Sequence, residues 1–82
     1  MFSIFLAQIP EGATLRILGI SGSPHLRREL AQLGIHIGDL VRVHQHVPFG
    51  GPILLEHCGT KVALGRTIAE RIRVGVVNTE SL

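Results

Sequence analysis

Glycine and proline interrupt this chain about every 8–15 residues, a rhythm that leaves room for short strands and one modest helix. With 82 residues there is length for a single domain. A domain of this size buries only about 60–65% of the surface its unfolded chain exposes, so its core has to be dense in apolar side chains. Ile, Leu and Val supply 27 residues, enough for one aliphatic core, and with no Trp and no Tyr there is no aromatic platform to organise it.

Residues 3–9 form an apolar lead-in with room for a short helical turn, closed by Pro10-Glu11-Gly12. Thr14 to Ile20 is rich in branched side chains and reads as the first strand. Gly22-Ser23-Pro24 stops it, with Ser23 suited to a helix N-cap and Pro24 to the first helical position. Leu26, Leu30 and Leu33 follow at i, i+4, i+7, which predicts one buried helical stripe, and Gly34 fits a left-handed C′ residue. From Leu40 to Val47 the alternation of a strand places Val41, Val43 and Val47 on one face and Arg42, His44 and His46 on the other. Pro48-Phe49-Gly50-Gly51-Pro52 is a turn, and Ile53 to Cys58 returns as the second arm of a hairpin. Lys61 to Leu64 reads as a short strand, Thr67 to Glu70 as one helical turn, Ile72 to Val77 as the closing strand, and residues 78–82 as a frayed tail. The expected fold is mainly β: a small, partly open SH3-like β-barrel with one helix inserted after the first strand, forming a single domain over residues 1–82 with its core from about 6 to 77.

Catalytic signatures are missing. There is no phosphate loop, no dinucleotide fingerprint and no nucleophile elbow, the only lysine is Lys61, and the six acidic residues are spread singly. His57 and Cys58 are adjacent, but neighbours on a strand point to opposite faces, so a thiolate–imidazole pair is not expected. The chain therefore reads as a binding protein, not an enzyme.

Three kinds of binding site are conceivable. His44 and His46, two apart on one strand face, have the spacing to share a transition metal ion, with Glu56 across the hairpin from His44 if its centre is Gly50, or His57 near it if the register shifts by one; a solvated polar face is the simpler reading. No cofactor is otherwise required, and His25 and His36 have no ligand spacing. Ser21-Gly22-Ser23-Pro24 offers free backbone N–H groups to an anion, or simple capping. For a protein partner, Phe49 at a rigid turn is either an exposed contact or a plug folded back onto the barrel. Leu26, Arg27, Arg28, Pro48 and Phe49 make up the candidate partner-binding set, and Arg66 and Arg73 add charge for an acidic partner.

The net charge of +2 is scattered, with Arg27-Arg28 the only adjacent basic pair, and three Phe are the only aromatics. Nucleic-acid binders concentrate basic charge in a stripe and stack bases on aromatic rings, so no nucleic-acid partner is expected. One cysteine suits a reducing cytosol, Met1 to Ala7 lacks the basic start and cleavage site of a signal peptide, and no apolar run approaches the roughly 20 residues of a membrane helix. The expected location is the cytoplasm, without direct membrane insertion.

Taken in order, the segments from about Leu6 to Val74 resemble the FeoA family of small proteins of ferrous iron transport. The resemblance is carried by Pro10-Glu11-Gly12, by Ile17-Leu18-Gly19-Ile20, by the helix Leu26 to Ile35 with Ile37-Gly38-Asp39 after it, by Pro48-Phe49-Gly50-Gly51-Pro52, and by Val62 to Arg66 with Ala69 to Val74. Gly65 departs from the polar or basic residue the pattern leads one to expect. The resemblance implies an SH3-like barrel in the cytoplasm, recruited to the inner face of the membrane by a FeoB-type ferrous iron transporter and contacting its cytosolic G domain. The family also looks like the SH3-like domain of diphtheria-toxin-repressor-type regulators, which implies as an alternative a metal-responsive regulatory or dimerisation module. Edge strands of an open barrel offer a route to a homo-oligomer.

Overall fold

The computed structural model describes residues 3–77; Phe2 and the expected tail at 78–82 lie outside the described residues. Strand β1 (Ile4–Phe5) leads through a 3-10 turn at Leu6–Gln8 to β2 (Thr14–Ile20) and helix α1 (Pro24–Gln32). Strands β3 (Leu40–His46), β4 (Ile53–His57) and β5 (Thr60–Leu64), the single turn of helix α2 (Arg66–Ala69) and β6 (Ile72–Val76) complete the described chain. All six strands join one antiparallel sheet in the order β1-β6-β2-β3-β4-β5, which is not closed. The fold is thus mainly β and SH3-like, as expected, with two corrections. The apolar lead-in contains a two-residue strand before its helical turn, and α1 consequently follows the second strand, not the first.

The sheet wraps one aliphatic core. Residues directly opposite on paired strands share a face, and the pairs Leu15–Val41, Ile17–Val74, Val43–Leu55, Ile53–Leu64 and Ile20–Ile72 put their apolar side chains on the inner one. Among the described residues no polar or charged residue is buried. Burial of apolar surface is therefore the main source of stability, at about 25 cal/mol per Å2 removed from water.

Helix α1 seats Leu26 and Leu30 in that core. Leu33, expected to be third in the stripe, is 48% exposed. The helix ends one residue earlier, and Gly34 at φ +83° reverses the chain. Gly34 N–H donates to Ala31 O and Ile35 N–H to Leu30 O, a Schellman motif that turns Ile35 inward where Leu33 would have stood. Ser23 occupies the N-cap position and Pro24 follows it, but the Ser23 hydroxyl makes no capping bond.

A bulge in β3 decides where the histidines go. Val43 pairs with Leu55 and Gln45 with Leu54, leaving His44 as the extra residue. An extra residue inverts the alternation beyond it. His46 therefore lies opposite fully buried Ile53 on the inner face, while His44 stays exposed, and Val47 is displaced from the face of Val41 and Val43. The His46 Nε2–H donates to Ile9 O at 2.6 Å and its backbone N–H to Glu11 at 2.8 Å. These bonds staple residues 9–11 to the hairpin.

His46→Ala should consequently lower stability by about 1–2 kcal/mol, and His44→Ala should change it by no more than about 0.5 kcal/mol. Urea unfolding of the two variants checks this; equal losses would remove the structural role assigned to His46.

Candidate functional site

Two surface features stand out, an apolar groove beside α1 and the tip of the β3–β4 hairpin. The groove holds about 330 Å3 and is lined by Ile20, Arg27, Arg28, Ala31, Ile35, His36 and Ile37. Its floor follows from local structure. The inward turn of Ile35 carries the next residues across the end of β2, and Ile37 is left 51% exposed. Arg27 and Arg28, on the first turns of α1, are exposed beside it. Among the described residues the carboxylates that meet a basic side chain do so at His25–Glu29, His36–Asp39 and His57–Asp39, so neither arginine has a carboxylate partner.

Phe49 at the hairpin tip is fully exposed at 104%, which excludes its folding back as a plug. Its backbone is left-handed at φ +61°, and so is that of Gly50 at +73°. Gly51 N–H closes the turn onto Pro48 O at 3.3 Å. A Cβ on Gly51 would come within 2.7 Å of the Val47 side chain, so only glycine fits there. Left-handed backbone costs a non-glycine residue roughly 1–2 kcal/mol. Phe49 bears that strain without burying any of its ring.

The sequence-derived candidates are distributed as follows. Arg27, Arg28, Pro48 and Phe49 are at the surface, whereas Leu26 is a core residue, because the i, i+4 stripe it shares with Leu30 faces inward. His44, His46 and Glu56 are not brought together. The bulge separates the histidines, and Glu56 pairs with Arg42 on one side and Lys61 on the other. This set does not fit a transition metal ion, and among the described residues no group of three or more His, Cys, Asp or Glu is placed to hold one.

Sequence reasoning missed the groove and a polar latch next to it. Asp39 Oδ2 accepts the His36 backbone N–H at 2.8 Å and lies 3.3 Å from His57 Nε2. The other ring nitrogen, Nδ1, donates to Leu40 O at 2.9 Å. Cys58 is not on the strand but begins the Cys58-Gly59 turn with φ +51°, and it does meet its neighbour, contrary to expectation. The sulfur lies 3.7 and 3.8 Å from the two ring nitrogens, each of which has an oxygen closer to it, Leu40 O at 2.9 Å and Asp39 Oδ2 at 3.3 Å. This is a packing contact, not a thiolate–imidazole pair. Ile35 and Ile37 were the legible signal for the groove: two isoleucines flanking a histidine just after a helix stop.

No helix is long and apolar enough to cross a membrane among the described residues. No curated protein matches the chain. Among solved structures it is similar to a FeoA protein from Chlorobium tepidum, with 26% identity, TM-score 0.84, and coverage of 95% of this chain and 74% of that one. It is also similar to iron(II) transport protein A from Clostridium thermocellum, with 27% identity, TM-score 0.84, and coverage of 90% and 46%. A manganese-dependent transcriptional repressor in complex with manganese matches at 28% identity and TM-score 0.85, over 92% of this chain and 37% of the repressor. The family model described as the FeoA domain matches residues 4–76, nearly the whole of the described chain, and the chain therefore belongs to the FeoA domain family.

Proposed function

We propose that this protein is a cytoplasmic accessory factor of ferrous iron uptake that acts by binding a FeoB-type membrane transporter at its cytosolic G domain. The observation that carries the reading is the FeoA match over residues 4–76. The surface supports it. Phe49 holds a fully exposed ring on a strained turn, a cost that stability alone does not explain and that a contact residue does.

Titrating isotope-labelled protein with the G domain of its own organism's transporter, with and without nucleotide, tests the reading. Amide shifts concentrated around Phe49 or along α1 are expected; an unperturbed spectrum with both the G domain and intact transporter in membranes would overturn it. Phe49→Asn separates strain from function. Asn tolerates the left-handed backbone, so the variant should gain about 1 kcal/mol in stability. The same variant should weaken transporter binding about tenfold.

The likeness to a manganese-dependent repressor favours a second reading, a metal-responsive regulatory or dimerisation module. Because His44, His46 and Glu56 stand apart, metal would act on this module through ligands shared with a second chain. Sedimentation of the protein with and without Fe2+ or Mn2+, repeated on His44→Ala, whose imidazole is exposed, decides it. Metal-dependent dimerisation lost in that variant supports this reading, and a mass unchanged by metal removes it.

A further inference from the structure

We propose that the groove between α1 and the end of β2 is a docking site for an acidic, apolar segment of the transporter, a proposal that rests on the partner reading above. Two properties point to this occupant. The wall is aliphatic, formed by Ile20, Ala31, Ile35 and Ile37, in a recess of about 330 Å3, the lower end of the size range of ligand pockets. An apolar concavity of that size takes branched side chains of a peptide, not an extended cofactor. The rim is cationic. Among the described residues Arg27 and Arg28 line it without carboxylate partners, and the Arg71 side chain passes over Gly22, two residues beyond Ile20.

Unpaired arginines at the edge of an apolar recess select a partner carrying carboxylates beside its anchors, since Arg donates to a carboxylate through two parallel N–H bonds. They equally disfavour a second copy of the same basic rim, because like charges would face each other across the contact. The groove is also firmly built. Ile35 is buried in the core and fixed by its N–H bond to Leu30, while Asp39 holds the His36 backbone in place at the opposite end of the loop. A preformed recess costs little ordering on binding. The Phe49 hairpin and this groove then supply two separate anchors, one projecting and one receiving.

Ala31 is exposed and helical, so Ala31→Phe fills the groove without entering the core. Affinity for intact transporter in membranes should fall about tenfold or more with Ala31→Phe and with the double change Arg27→Glu, Arg28→Glu, fall less, by about threefold, with Arg27→Lys, Arg28→Lys, which keeps the charge but loses the paired N–H bonds, and weaken as salt rises. Wild-type binding that the first two variants leave unchanged overturns the groove and leaves the partner reading standing. A synthetic amphipathic peptide of Leu and Glu, with its Leu and Lys counterpart as control, probes the groove without the transporter. Amide shifts at Ala31, Ile35 and Ile37 with the acidic peptide alone support the proposal. The same shifts together with no transporter binding retain the groove's chemistry and refute the partner reading. Absence of shifts with the acidic peptide, or equal shifts with both, refutes the groove's preference.

Discussion

Everything in this molecule depends on one sheet closing its apolar face on itself. Leu15, Val43, Ile53 and Leu55 are fully buried, yet they come from three strands of a single layer, so the sheet has to curve to bring them together. Bulges supply curvature by adding a residue on one strand and increasing local twist. Here they fall at Leu18 in β2 and His44 in β3, the two strands at the centre of the sheet. Helix α1 then covers the core with only two leucines, which is sufficient because the sheet does most of the enclosing.

That economy shapes the outer surface. A helix that contributes Leu26 and Leu30 inward leaves Arg27, Arg28 and Ala31 outward beside a seam it does not fill. The groove is what remains where a short helix, the end of β2 and a Schellman turn meet. Its charge is equally indirect, since Glu29 is engaged by His25, and Asp39 by His36 and His57, and among the described residues no carboxylate meets Arg27 or Arg28.

Much of the fold was legible because local chemistry and burial agree along most of the chain. Thr14–Ile20 and the helix from Pro24 follow from branched residues and a Ser-Pro start, and Gly34 marks the reversal it makes. The resemblance to the FeoA family was legible in the same residues, since its motifs are mostly turns and core positions. What failed was whatever depended on one extra residue. The alternation of β3 is visible in sequence, but the bulge at His44 is not, because bulging is fixed by the partner strand and the curvature of the whole sheet. One unread residue moved His46 from a surface ligand to an inward staple and dissolved the proposed metal set. Leu33 failed for a similar reason: helical periodicity does not say on which turn a helix stops. The groove was only hinted at by Ile35 and Ile37, because its walls come from β2, α1 and the following loop, and no single segment shows them together.

The position of β6 between β1 and β2 has a consequence for how the chain is made. Ile4 lies opposite Val74, so the first and last described strands are neighbours, and β6 bridges β1 to the rest of the sheet. During synthesis the hairpins of β3, β4 and β5 are complete while the inner faces of β1 and β2 still lack their common partner. The core then closes only once β6 has left the ribosome, and the nascent domain exposes two unpaired strand edges until that moment. Neighbouring first and last described strands also suit such a unit to insertion within other sequence without disturbing its sheet.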